Sequence, residues 1–229
     1  MKEVLSKLES KINYSFKNKT YLKQALTHRS YAAEKKIKND NQRLEFLGDA
    51  VVEIIITEFL FILYPKKNEG ELTALRSALV QKKSLSKLAK LIDLNNFIYL
   101  GKGEAGVNGG LRESTLCDTF EAVIGAVYMD SNLESSRKIL IKLINKAYSN
   151  IDTLLVEINP KGYLQELVQK DSGSKPIYQL KSTGGLQHAP LYTVDVLLNN
   201  EVISTGTGQN IKSAEIDAAG KAIKILGEK

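Results

Sequence analysis

Gln42-Arg-Leu-Glu-Phe-Leu-Gly-Asp-Ala50 places Glu45 and Asp49 four residues apart inside an apolar run. A second segment, Leu116-Cys-Asp-Thr-Phe-Glu-Ala122, places Asp118 and Glu121 three apart. On an α-helix, residues at these spacings share a face, so each segment aims two carboxylates at one point. Gln42 falls within about 60° of Glu45 and Asp49 on the same helix. The bland reading is a polar face in solvent. Against it, Leu44, Phe46, Leu47, Val51 and Val52 crowd the first segment, and Leu116, Phe120, Val123 and Ile124 crowd the second. Carboxylates held together among apolar side chains repel and are costly to bury, which favours divalent cations between them.

Working outward, apolar residues recur at helical spacing through Val4, Leu5, Leu8 and Ile12, then Leu22, Ala25 and Leu26, then Leu44 through Phe59. Further helices are expected over 72–91, 115–129 and 133–148. Gly101 to Gly110 holds five glycines and reads as a flexible loop. After Asn159-Pro160 the pattern changes. One short helix around Tyr163, Leu164, Leu167 and Val168 precedes alternation through Ile177–Lys181, Tyr192–Leu198 and Val202–Thr205, with Asn199-Asn200 as a hairpin turn. Ala214, Ala218, Ala222 and Ile223 mark a closing helix. The expected fold is therefore an all-α domain over 1–148, a linker over 149–158, and a small α+β domain of order α-β-β-β-α over 159–229.

The 229 residues can bury a sizeable core. A single cysteine, Cys117, excludes an internal disulfide framework and fits a reducing compartment; it reads as a small buried side chain rather than a nucleophile. The run from Ala50 to Tyr64 carries Glu53 and Glu58 and is too short to span a bilayer. With no leader-like opening, the expectation is a cytoplasmic protein without a membrane partner. Residues 1–150 hold 24 Lys and Arg against 17 acids, whereas residues 151–229 hold 8 Lys against 9 acids. A basic surround to an acidic centre suits a polyanionic substrate, although charge by itself favours a solvated lysine-rich surface.

Leu26-Thr-His-Arg-Ser-Tyr31, Gln42 to Val51, Glu69-Gly70 and Asp118-Thr-Phe-Glu-Ala-Val-Ile-Gly125 together resemble bacterial ribonuclease III in order and spacing, nearly end to end. The resemblance implies a homodimer joined through the helical domain that cuts double-stranded RNA with magnesium, or with manganese in its place. It implies 5′-phosphate ends, short 3′ overhangs, and substrates among ribosomal precursors and structured messages. By that likeness Glu45, Asp118 and Glu121 are metal ligands, and Asp49 and Glu121 are catalytic. Glu69, rather than the neighbouring Glu71, helps shape the cleavage site. Gln42 stands where the family usually has Glu, so an altered cleavage preference or metal dependence is expected. His28 reads as a capping residue rather than a general base.

The last 70 residues resemble a double-stranded RNA-binding domain. The likeness assigns RNA contacts to Gln165 and Glu166 on the first helix, to His188 in a loop, and to Lys212 at the last helix N-terminus. Where the family places two or three basic residues, this chain reads Ile211, Lys212 and Ser213, so weak stand-alone binding is expected. Two other readings use the same residues: a duplex-binding protein with a silent site, and a helical pyrophosphatase acting on small nucleotides.

Overall fold

Residue by residue, the apolar periodicity resolves into packed helices for the first two thirds of the chain. In the computed structural model, residues 2–151, 154, 156, 159–186 and 189–227 are described, and the chain divides into two compact units, Met1–Ser149 and Asn150–Lys229. Unit 1 consists of α1 (Lys2–Ile12), α2 (Lys19–Ala25), α3 (Arg29–Lys35), α4 (Gln42–Leu63), α5 (Glu69–Val80), α6 (Lys82–Leu91), α7 (Lys102–Gly106), α8 (Glu113–Asp130) and α9 (Leu133–Ala147). Short 3-10 turns lie at Leu94–Asn96 and Gly109–Leu111.

The central element is α8, which packs against α2, α4, α6 and α9. Every residue from Leu116 to Val127 except Asp118 is buried, including Phe120 at 0% exposure. Its near-continuous apolar sequence is the signature of a helix with no free face. The helix starts are set locally. Asn18 accepts from the Thr20 amide at 3.1 Å, and Asn132 accepts from the Ser135 amide at 3.0 Å. Asn68 and Glu71 form a reciprocal capping box on α5.

Two expectations change. The run 72–91 is not one helix: Gln81 adopts an extended backbone (φ −62°, ψ 153°) and splits it into α5 and α6. No Gly or Pro marks the break; Ser84 Oγ closes it by donating to the Ala78 carbonyl at 2.6 Å. The glycine-rich stretch is also more ordered than expected. It folds into α7 and a 3-10 turn, with Asn108 taking the left-handed backbone (φ 54°) between them.

Unit 2 holds α10 (Pro160–Ser172), β1 (Ile177–Leu186), β2 (Ala189–Leu198), β3 (Glu201–Gly208) and α11 (Ile211–Gly227). The strands form an antiparallel sheet of order β1-β2-β3, with Tyr178 opposite Val196 and Asp195 opposite Thr205. Asn199 and Asn200 both take positive φ (51° and 68°), as a tight primed hairpin turn requires. Leu164 and Val168 of α10, Val196 of β2, and Ala218, Ala219, Ala222 and Ile223 of α11 make the core. Gly206 lets β3 press against α11, since a Cβ there would overlap the backbone at Ala214 and Ala218. The fold is thus a helical domain followed by a three-stranded sheet with flanking helices. Among the described residues no helix is long and apolar enough to cross a membrane.

Candidate active site

Helices α4 and α8 cross backbone to backbone. A Cβ on Gly48 would overlap the carbonyl of Glu121, and one on Gly125 would overlap the carbonyl of Leu44. This close approach brings Glu45 and Asp49 of α4 near enough for their charges to act on Glu121 of α8. Asp49 is exposed, Glu45 and Asp118 are half-buried, and Glu121 is only 9% exposed.

The electrostatics follow from that burial. The Glu121 carboxyl is pushed up to about 8, first by burial and then by the charges of Asp49, Asp118 and Glu45. Glu45 is also raised, by burial and then by Asp118 and Asp40. Burial raises Asp118 although Lys82, His28 and Arg29 oppose it. None of the four carboxylates forms an ion pair with a lysine or arginine among the described residues. An all-oxygen set of converging acids, one of them buried and short of a cationic partner, fits a hard divalent cation.

Cys117 joins this group in a way that the sequence did not suggest. Its ligand atom and those of Asp118 and Glu121 lie within 4.8 Å of one another, and its thiol donates to Glu121 Oε1 at 3.8 Å. Glu45 lies outside that tightest trio. Burial raises the Cys117 thiol well above its ordinary value, so it is a protonated donor. The available signal was the four-residue spacing from Cys117 to Glu121.

Beside the acids lies a cavity of about 310 Å3, lined by His28, Arg29, Gln42, Glu45, Arg112, Ser114 and Asp118 among others. Gln42 therefore shares a wall with Glu45 and Asp118. His28 caps α3: its Nδ1 accepts from the Ser30 amide at 3.3 Å, and burial lowers its pKa. Glu69 is not brought to the acids. It lines a separate cavity of about 460 Å3 with Phe61, Leu72 and Arg76, and accepts from Thr73 Oγ1 at 3.0 Å. Glu71 is committed to the α5 cap, with its Oε2 accepting from the Asn68 amide at 3.0 Å, so of this pair Glu69 is the one not spent on a cap.

In unit 2, Gln165 and Glu166 are exposed on α10, and Lys212 is exposed in the first turn of α11. His188 lies outside the described residues. The Ser213 amide at the α11 N-terminus is already taken by Asn210 Oδ1 at 2.8 Å, and Ile211 is 45% exposed where a basic residue is expected.

Comparison with known proteins agrees with both units. Residues 18–148 match the ribonuclease-III-like family, and residues 160–226 match the double-stranded RNA binding motif. Ribonuclease 3 of Nitratiruptor sp. is 42% identical, covering 97% of this chain and 96% of its own. Ribonuclease 3 of Natranaerobius thermophilus is 44% identical over 90% of each chain. The solved nuclease domain of ribonuclease III from Campylobacter jejuni is 40% identical, covers 63% of this chain and 98% of its own, and superposes with a TM-score of 0.60. With both units matched and identity above 40% along nearly the whole length, the chain belongs to the ribonuclease III family and is an endoribonuclease acting on double-stranded RNA.

Proposed function

We propose that the chain hydrolyses phosphodiester bonds of double-stranded RNA in a magnesium-dependent reaction, with manganese able to substitute. The observation that carries this is the convergence of Glu45, Asp49, Asp118 and Glu121 at the α4–α8 crossing, with Glu121 buried among the other acids. Glu45, Asp118 and Glu121 would hold the cation. When bound, magnesium supplies Lewis-acid polarisation of a phosphoryl oxygen and lowers the pKa of a coordinated water. Asp49, exposed at the mouth of the site, orients the attacking water through its carboxylate. Attack on phosphorus with the 3′ oxygen leaving gives 5′-phosphate ends. The Cys117 thiol fixes one oxygen of Glu121 by its hydrogen bond. Gln42, on the wall of the adjoining cavity, and Glu69, in the second cavity, shape the cleavage site through the substrate.

The chain acts as a homodimer through the helical domain, so that two sites face opposite strands and leave short 3′ overhangs. The C. jejuni nuclease domain has a region involved in dimer formation, and one face of α4 here presents Phe46, Ile54 and Phe61 to solvent. Gln165, Glu166, His188 and Lys212 contact the duplex from unit 2. With a single lysine in the first turn of α11, that domain binds weakly alone. The substrates are ribosomal precursors and structured messages in the cytoplasm.

The deciding experiment is cleavage of a labelled perfect RNA duplex, with and without magnesium, beside Glu121→Gln. Magnesium-dependent cuts that give 5′ phosphates and vanish in the variant support the proposal. Duplex shifted but never cut at any magnesium or manganese level overturns it in favour of a silent nuclease scaffold.

A further inference from the structure

The acidic site does not use a lysine-rich surface of unit 1. Helix α6 carries Lys82, Lys83, Lys87 and Lys90 and no acid, and all four lysines are exposed while Leu85, Leu88 and Ala89 face inward. Helix α9 packs beside it and exposes Lys142 and Lys146. Where the end of α6 meets α1 and α9, a shallow depression of about 130 Å3 is floored by Leu91, Ile92 and Leu143 and rimmed by Lys11, Lys142 and Lys146. Lys11 is paired with Asp93 at 2.7 Å. Among the described residues Lys83, Lys90, Lys142 and Lys146 reach no carboxylate within ion-pair distance, and Lys87 lies over the Tyr148 ring at 4.1 Å.

Lys83 and Lys87, and Lys142 and Lys146, are like-charge pairs four apart, a spacing that disfavours each helix. Such repulsion is relieved by a partner that brings negative charge. The lysines do not converge on one point, as a small anion would need; they are strung along α6, about 15 Å long at 1.5 Å per residue, and continue onto α9. Regularly spaced charge along a line is what a nucleic-acid backbone presents. Helix α6 packs against α8, the helix that carries Asp118 and Glu121. Unit 2 brings no net positive charge to this binding, having 8 lysines against 9 acids over residues 151–229.

From these observations we infer that the α6–α9 lysine face is an accessory binding surface for the phosphate backbone of duplex RNA. It holds the stretch of substrate that extends beyond the cleaved bond and replaces the basic residues missing from the first turn of α11. The inference rests on the chain acting on duplex RNA.

The test is binding of the full chain to a labelled duplex at several salt concentrations, in a Glu121→Gln background that prevents cutting. Lys83→Gln/Lys142→Gln/Lys146→Gln is compared with Lys17→Gln/Lys23→Gln/Lys224→Gln, an equal charge change at exposed lysines elsewhere. The first triple is expected to flatten the dependence of log K on log salt by roughly 2–3 and to weaken binding at least about tenfold, while the second does neither. Equal effects of the two triples, or an unchanged slope in the first, would overturn the inference. Thermal melting of each triple checks that the fold is intact. A parent chain that neither cuts nor binds duplex sinks the function itself, whereas a parent that binds with the first triple unaffected sinks only this surface.

Discussion

Gly48 of α4 lies directly against the peptide carbonyl of Glu121 on α8, with no room for a Cβ between them. The same contact that joins the two helices therefore sets the separation of the acids on α4 from those on α8. Adding a methyl group must push the helices apart.

Gly48→Ala is expected to cost at least about 3 kcal/mol, the upper range for overpacking, because backbone rather than a flexible side chain must move. Chemical denaturation measures this. Gly220→Ala is the contrast: nothing lies within 4 Å of a Cβ at this position in α11. That variant should gain roughly 0.5–1 kcal/mol from helix propensity alone.

Glu121→Gln replaces a carboxyl whose ionisation is disfavoured by burial and three neighbouring acids. Cutting should be abolished while the metal-free protein becomes more stable by roughly 1 kcal/mol, about 2–4 °C in Tm for a chain of this size. Calorimetry without divalent cations reads it. A melting temperature equal to or below that of the parent would mean that the four acids do not repel one another when divalent cations are withheld.

Tyr14 Oη donates to Asp130 Oδ2 at 2.7 Å, and the amides of Lys17 and Asn18 donate to the same carboxylate at 2.9 and 2.8 Å. Burial opposes ionisation of Asp130, but these donors outweigh it and its pKa falls below 3.8. The stability that this depressed pKa contributes is present above 3.8 and is lost as pH drops through the lower folded value. Tyr14, raised to about 12 by burial and then by Asp130, contributes stability that is present below 10.0 and lost as pH rises through about 12. Tyr14→Phe should cost about 1 kcal/mol near neutrality and flatten both limbs of a melting-against-pH curve.

Phe46 is 83% exposed, so replacing it cannot open a cavity within one subunit. Phe46→Arg is expected to leave the helical content unchanged and to shift the mass from dimer to monomer in sedimentation equilibrium. A dimer that survives the change would place the subunit contact elsewhere.

Gln42→Glu restores a charge on the wall shared with Glu45 and Asp118. Altered cut positions or a shifted magnesium optimum are expected, read on sequencing gels across a metal titration. An unchanged pattern and optimum would make the position neutral.

The sequence carried the helices that have a buried stripe, because apolar spacing reports burial directly. Both acidic segments lay on such helices, so their pairing within each segment was legible. Their meeting across α4 and α8 depends on Gly48 and Gly125, whose small size enters no periodicity. The break at Gln81 was hidden for a similar reason, since it arises from backbone geometry stabilised by Ser84 rather than from a residue that forbids helix. Cys117 was read correctly as buried, yet its contact with Glu121 follows from side-chain direction within the packed helix. Glu69 was singled out by its motif alone, and within one chain it lines a different cavity from Glu45 and Asp118.

The placement of Asp118 and Glu121 on the most deeply buried helix has a dynamic consequence. With α8 packed against four other helices, its middle turns are expected to be among the last hydrogen bonds to open. Asp118 and Glu121, if they act as proposed, are therefore expected to keep their arrangement until the domain denatures. Control over such an enzyme must act through what reaches it, RNA and cation, rather than through any loosening of the site itself.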